Sequence, residues 1–291
     1  MEQHGQAWEA ESPRKDLRGA EARFDTATLM AGLYGDGIIA RRGAFSPEWV
    51  RQVGEDIDVL FREALGRPGG ALPRGPNRYY VEIHPERLRG FVELVTHPWL
   101  VAVCEAVLGP DYRVVELGFD IPGPGALNQP WHRDFPAPQA TLTGRRLNSL
   151  AFNLTTVDVH EDMGPLEIAP GTQWEAGEDF DGGMFPPKSQ ASRYERLAQR
   201  KMPKVGDLSA RSALTIHRGT ANRSNKSRPA LVLGVDAPDG RNAERHDLQL
   251  SRAYHDTLPE AVRRHMTYRV VDSLETIVQA HTIDGLLTSD A

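Results

Sequence analysis

Three stretches of this 291-residue chain place a histidine two positions before an acidic residue: His84-Pro85-Glu86, His132-Arg133-Asp134 and His160-Glu161-Asp162. With 10 histidines and 40 acidic residues present, the bare triplet carries little information, and its context has to decide. In extended backbone the side chains alternate sides, so His132 and Asp134 project together while Arg133 points away. Two ligands on one side of a strand can take adjacent corners of a metal octahedron. A histidine from a distant strand then completes a 2-His-1-carboxylate facial set, which leaves three positions open and suits non-haem Fe(II). His217, which ends the apolar, strand-like run Ala213-Leu214-Thr215-Ile216, is the candidate third ligand.

The segment after His217 adds an anion anchor. The chain turns through Arg218 to Asn225 and re-enters a strand-like run at Arg228 to Leu233. Read as an antiparallel hairpin, this returns Arg228 to the side of His217 and into the same cavity. A guanidinium holds a carboxylate through two parallel charge-assisted hydrogen bonds, the anchor that the remote carboxylate of 2-oxoglutarate requires. Thr220 is placed to add a hydroxyl donor, and strand phasing adds Gln129 and Asn153 as cosubstrate contacts. The other triplets read as structural. His160 and Asp162 fall at the turn Met163-Gly164-Pro165, where an acidic residue is commonly a turn former. Pro85 puts His84 and Glu86 in a solvated turn, or at most in a pocket wall.

In their order, these motifs resemble the phytanoyl-CoA dioxygenase family of Fe(II)- and 2-oxoglutarate-dependent oxygenases. The resemblance begins at Gly37-Ile38-Ile39-Ala40-Arg41-Arg42-Gly43 and continues through Gln129-Pro130-Trp131-His132-Arg133-Asp134. It passes through Glu161 to Leu166, Ala169-Pro170-Gly171-Thr172 and Gly206-Asp207, and closes with His217 to Ser224 and Arg228. It implies a mainly β fold with flanking helices, a cupin-like double-stranded β-helix or jelly roll. It also implies iron ligation by His132, Asp134 and His217, 2-oxoglutarate on Arg228, and O2 as co-reactant. The sequence departs from the family pattern at Met163, where Asn is usual, and at Gln173, where His is usual. The carboxylate of Asp134 favours oxygenation over halogenation, which needs a small residue there. The expected reaction is hydroxylation of an unactivated carbon in a small metabolite or natural-product intermediate, because no Lys/Arg cluster offers a groove for the phosphates of a CoA thioester. Two other classes compete: a cupin-like metalloenzyme that does not use 2-oxoglutarate, and a non-catalytic jelly-roll binding protein.

The elements that must position these residues are legible in outline. At about 150 residues per domain the length allows two domains or one large β unit; the motif order favours one unit over residues 24–291. Residues 1–23 hold few large apolar side chains and read as a disordered lead-in. Ser46-Pro47 starts a helix whose apolar positions Val50, Val53, Ile57, Leu60 and Phe61 recur at threes and fours to about Leu65. A second helix runs from Pro98 to Leu108 and stops at Gly109-Pro110. From Arg113 onward, strand-like runs at 114–121, 147–159, 166–169, 213–217 and 230–235 alternate with Gly, Pro and Asn. A polar insertion over 173–203, with a helical piece at 194–199, and the loop over 66–84 are candidate lids. The tail reads as helical at 260–266 and β-like at 268–271. Tyr79, Tyr80, Trp131, Phe135 and Trp174 are candidates for an aromatic wall, whereas Arg74, Arg78, Arg87 and Arg89 read as solvated charges in preference to contacts for an anionic group.

Several classes are excluded. A net charge of −6 without a basic block gives no footprint for nucleic acid. No apolar stretch approaches a membrane span. Cys104, the single cysteine, cannot form an internal disulfide or a thiolate metal cluster. With an amino terminus that lacks the apolar core of a secretory signal, a cytoplasmic address and a small-molecule partner are expected.

Overall fold

The structure, a computed structural model, describes residues 24–278 and 283–287. The lead-in expected over residues 1–23 lies outside the described residues.

The helices come first in the chain. Helix α1 (Thr26–Gly35) leads into strand β1 (Ile38–Arg41), and α2 (Pro47–Leu65) follows. Ser46 Oγ accepts the Trp49 amide at 3.3 Å and Pro47 occupies the first turn, as the sequence signals. The stripe Val50, Val53, Ile57, Leu60 and Ala64 is buried, while Phe61 is half-buried against Tyr79. Strands β2 (Leu72–Pro73) and β3 (Arg78–Glu82) precede a short α3 (Phe91–Val95) and α4 (Pro98–Leu108). Then come β4 (Arg113–Pro122), a short α5 (Gln139–Gly144), β5 (Ser149–Thr155), β6 (Leu166–Ile168), α6 (Ala191–Leu197), β7 (Gln199–Lys201), β8 (Leu208–Ser212), β9 (His217–Gly219) and β10 (Ala230–Asp236). The tail carries β11 (Gln249–Ser251), α7 (Arg252–Thr257), α8 (Glu260–Arg263) and β12 (Arg269–Val271).

Seven strands form an antiparallel sheet in the order β1-β8-β5-β10-β4-β3-β2, and three form a smaller one in the order β7-β6-β9. This is a jelly roll with helical flanks. In the central strands the alternation divides the labour. Leu117, Phe119, Phe152, Leu154, Leu231 and Leu233 are buried in one large apolar cluster with residues of α1, α2 and α4. Their neighbours Glu116, Asp120, Asn153, Thr155, Ala230, Val232 and Gly234 line a cavity shared with residues of the small sheet. Parallel pairing is confined to β11 and β12 among the named strands.

Two expectations change. The run 213–217 is not a strand: β8 ends at Ser212, residues 213–216 turn, and β9 starts at His217. Its apolar texture comes from Ala213 and Leu214 packing with Phe135 in a buried turn. Strand β8 escaped notice because Ser209 and Arg211 interrupt its apolar residues, both turned toward the cavity. Nor do β9 and β10 form a hairpin. β9 pairs with β6 in the small sheet and β10 lies between β5 and β4 in the large one, so residues 220–229 cross between sheets. The helices expected at 194–199 and 260–266 lie at Ala191–Leu197 and Glu260–Arg263. Among the described residues no helix is long and apolar enough to cross a membrane.

The ring of Phe152 is fully buried and meets Trp99 edge-on, with centroids 6.2 Å apart. It joins the large sheet to α4. Phe152→Ala should cost about 3–5 kcal/mol, read as a lower urea midpoint at unchanged slope. A loss below about 1 kcal/mol would mean that this contact does not carry the layer.

Candidate metal centre

Two backbone hydrogen bonds build the centre. His132 N donates to His217 O at 2.9 Å, and His217 N donates back to His132 O at 2.8 Å. Two residues on, Asp134 N donates to Ala213 O at 2.9 Å. The segment 132–134 is thus extended and held by an isolated bridge rather than by a continuous strand. The expected alternation nevertheless holds. Arg133 turns away, and its buried guanidinium donates to the carbonyls of Gly183, Glu175 and Ala176 at 2.8, 2.9 and 3.2 Å while lying over Phe180.

Each histidine is oriented by its own chain. His132 Nδ1 lies 2.8 Å from Pro130 O, and His217 Nδ1 lies 2.9 Å from Thr215 O. A carbonyl only accepts, so Nδ1 carries the proton in both rings and Nε2 keeps its lone pair for a ligand. Burial pushes His132 down to about 4 and His217 well below its ordinary value, the latter helped by the charge of Arg211, so both rings are neutral at neutral pH. Burial opposes ionisation of Asp134, but Arg211 and the two histidines outweigh it and hold the carboxyl low. Arg211 Nη2 sits 3.0 Å from Asp134 Oδ2, leaving Oδ1 on the side of His217 Nε2, 3.4 Å away. One ligand atom from each of His132, Asp134 and His217 falls within 4.8 Å of the others. Two imidazole nitrogens and one carboxylate oxygen beside open space fit a divalent transition metal such as Fe(II).

The three ligands line a cavity of about 500 Å³ between the sheets. Arg228, only 6% exposed, also lines it, and its guanidinium makes no hydrogen bond or ion pair to any described residue. Burial and the charge of Arg78 push its pKa down to about 10, with Asp120 opposing. Arg78 is fully buried; it pairs with Asp120 at 3.0 Å and donates to Thr220 O at 3.1 Å. Gln129 lines the cavity with its amide tied to backbone: Oε1 accepts the Gly219 amide at 3.0 Å and Nε2 donates to Arg74 O at 3.4 Å. Asn153 lines it too. Thr220 does not: its hydroxyl donates to Pro165 O at 2.7 Å, and it is absent from the wall.

The sequence reading missed Arg211 and Thr155, which face the cavity from β8 and β5, and took Arg74 and Arg78 for solvated charges although both line it. Arg87 and Arg89 do make exposed ion pairs, with Glu63 and with Asp56 and Glu55. His160 and Asp162 are exposed, far from a ligand role. His84 is buried rather than solvated, accepting the Gln249 amide and bonding Glu275 O. Of the five aromatics, Tyr80 and Phe135 reach the cavity. Trp131 meets Tyr194 at a tilt and lies under Arg218, Tyr79 meets Phe61, and Trp174 donates to Tyr34 O. The insertion touches the cavity through Lys201, Met202 and Pro203, and otherwise supports the ligand segment from outside. Gln173, where the family has His, donates to the carbonyls of Leu33, Tyr34 and Gly35 at the end of α1.

A jelly roll whose two sheets enclose a 2-His-1-carboxylate centre defines the class of cupin-like metal-dependent proteins. The profile of the phytanoyl-CoA dioxygenase (PhyH) family matches residues 33–230, well over half of the sequence, and the chain belongs to that family. Solved structures agree on the fold. The epimerase SnoN, in complex with Fe3+, alpha ketoglutarate and nogalamycin RO, is 19% identical at a TM-score of 0.58, covering 72% of this chain and 83% of SnoN. AviO1 from Streptomyces viridochromogenes Tue57 is 16% identical at 0.56, over 76% of this chain and 99% of AviO1. HygX from Streptomyces hygroscopicus, with nickel and 2-oxoglutarate bound, is 13% identical at 0.54, over 76% and 89%. No curated protein matches the chain closely enough in sequence to count as a relative.

Two measurements check the electrostatics and the ligand set. Calorimetry with Co(II) or Ni(II) should find one site per chain, abolished by His217→Ala; binding that survives would place the metal elsewhere. At the far end of the cavity His246 is paired with Glu82. Burial opposes its protonation, but that hydrogen bond and the charges of Glu116 and Glu82 raise its pKa above 6.5. The pairing therefore adds stability fully below pH about 6.5, lost as pH rises through the raised value. Ring-proton NMR should show a midpoint above 6.5 that falls in Glu82→Gln.

Proposed function

We propose that the chain is an Fe(II)- and 2-oxoglutarate-dependent dioxygenase that hydroxylates an unactivated carbon of a small metabolite or natural-product intermediate. The observation that carries this reading is Arg228. A buried guanidinium without a partner costs several kcal/mol, of order 3–5, unless an anion joins it. A dicarboxylate held there would share one cavity with His132, Asp134 and His217.

His132, Asp134 and His217 would hold iron, which with bound 2-oxoglutarate supplies the O2-driven oxidation of a C–H bond. Arg228 would take the remote carboxylate in a bidentate grip, and the charge of Arg78 beside it is offset by Asp120, which leaves Arg228 as the anchor. Asn153 and Thr155 offer polar groups along the same wall: the Thr155 hydroxyl is buried and makes no hydrogen bond within the described residues. Gln129 is the more constrained contact, since its amide already bridges Gly219 and Arg74. Arg211 keeps one oxygen of Asp134 occupied, so that the carboxylate offers a single oxygen to the metal.

The solved structures of SnoN and HygX support the cosubstrate, since each holds a metal with alpha ketoglutarate or 2-oxoglutarate. SnoN, an epimerase, motivates a second reading in which the same residues invert a carbon centre instead of hydroxylating it. Product analysis separates the two through the presence or absence of a new oxygen. The shared chemistry is tested by succinate release with Fe(II), 2-oxoglutarate and O2, which also occurs slowly without substrate. Arg228→Ala should raise KM for 2-oxoglutarate by about 100-fold while leaving Co(II) affinity unchanged. Unchanged KM would overturn the assignment of Arg228, and no 2-oxoglutarate-dependent succinate from wild type would overturn the reading as a whole.

A further inference from the structure

The cavity has a second charged end, used by neither the metal ligands nor Arg228. Glu116 of β4 lies across Gly234 of β10, where an added Cβ would stand 2.7 Å from Glu116 Cβ and 2.8 Å from its Oε2. Next to it, Tyr80 lies over Gly118 of β4, where a Cβ would stand 2.8 Å from the tyrosine hydroxyl. That hydroxyl donates to Glu116 Oε1. A glycine inside a strand costs stability and marks close approach of another group. Two of them in adjacent strands make a bed on which Tyr80 and Glu116 lie flat, keeping the cavity open above a carboxylate.

The charges around this carboxylate do not balance. Glu116 accepts from Tyr80 and has no Lys or Arg partner among the described residues. Its neighbour Glu82 is matched by His246. The hydroxyl oxygen of Tyr268, which feels the charges of Glu116 and Glu82, is buried with no hydrogen-bond partner among the described residues. The cavity's cations are largely committed elsewhere: Arg211 to Asp134, Arg78 to Asp120, and Arg74 to the face of the Tyr80 ring, 4.5 Å from its centroid. Two carboxylates against one imidazolium leave one negative charge beside the Tyr268 hydroxyl oxygen, which can accept a hydrogen bond, a combination that a ligand with N–H donors and a positive charge would complete.

The sheet register relates this end to the metal. Arg211, Ala151, Gly234 and Glu116 stand side by side on β8, β5, β10 and β4. At about 4.8 Å per strand, Glu116 starts roughly 14 Å from Arg211, and Arg211 grips the metal ligand Asp134. Between them the floor consists of an alanine and a glycine, side chains small enough to leave room for a ligand.

We infer that Glu116 recognises a protonated amine on the primary substrate, so that the substrate class is a small amine whose oxidised carbon lies toward the other end of the molecule. This rests on the dioxygenase reading only in taking the occupant to be the primary substrate. The test uses three probes of one shape: cyclohexylmethylamine, cyclohexylmethanol and cyclohexanecarboxylate, titrated calorimetrically into protein loaded anaerobically with Fe(II) and 2-oxoglutarate. The amine should bind about tenfold more tightly than the alcohol, and the advantage should fall below about twofold in Glu116→Gln. The visible iron-to-2-oxoglutarate band should be unchanged in both proteins. An amine that binds no better than the alcohol to wild type, or a carboxylate that binds best, overturns the inference without any variant having to fold. An amine preference that persists in Glu116→Gln overturns it as well. Loss of the visible band in wild type would sink the dioxygenase reading instead, and the amine comparison would still be legible in the calorimetry.

Discussion

The reciprocal backbone hydrogen bonds between His132 and His217 are the constraint on which the rest of the centre depends. They clamp two segments far apart in sequence, and each segment orients its own imidazole through a carbonyl two residues upstream. Ring orientation is therefore written into the backbone and needs no further side chain. The small sheet fixes β9 through β6, and the insertion fixes residue 133 from outside. Asp134 is the ligand placed by a side chain, since Arg211 of the large sheet sets which oxygen it can offer. The centre thus straddles the two sheets, with His217 from one, His132 bridged to it, and the steering arginine from the other.

The large sheet pays for a polar interior with an apolar exterior. Its outward residues pack with the helices into the main core, which leaves the inward face free to carry charges that a fold of this size would otherwise exclude. Most of these charges are matched in pairs: Arg78 with Asp120, Arg211 with Asp134, Glu82 with His246. A matched buried pair adds little net stability but fixes geometry. Against that background Arg228 and Glu116, neither of them in an ion pair among the described residues, stand at opposite signs, and the small side chains of Ala151, Ala230 and Gly234 keep the space near them open.

The convergence of His132, Asp134 and His217 was legible in the sequence because residues two apart in extended backbone project to one side, and that holds whether the backbone is a strand or a single bridge. The α2 and α4 boundaries were legible from caps and glycine stops. What could not be read was which strands meet. Arg228 reaches the cavity as expected, but through a crossover between sheets and not a hairpin, since local sequence does not distinguish a turn that returns from one that departs. The run 213–216 looked like a strand because burial, which it has, and extension, which it lacks, leave the same apolar trace. Arg211 was invisible for the converse reason: a charged residue inside a strand reads as an interruption until its partner across the cavity is known. Thr220 shows the limit of proximity in sequence, since one residue beyond β9 its hydroxyl turns to Pro165.

Arg133 gives the insertion an evolutionary signature. The guanidinium between His132 and Asp134 is held by the carbonyl oxygens of Glu175, Ala176 and Gly183, and any residue type supplies a carbonyl. Apart from Phe180, whose ring lies under the guanidinium, side chains along that stretch are therefore free to drift without disturbing these bonds. Two further things are not free. Gly177, at φ 68°, faces the guanidinium so closely that a Cβ would collide with it. And the number of residues between the three carbonyls must stay fixed, because a single deletion would slide them out of register with an arginine that cannot move independently of His132 and Asp134 on either side. Homologues that keep this arginine should tolerate substitutions in the segment far better than changes in its length.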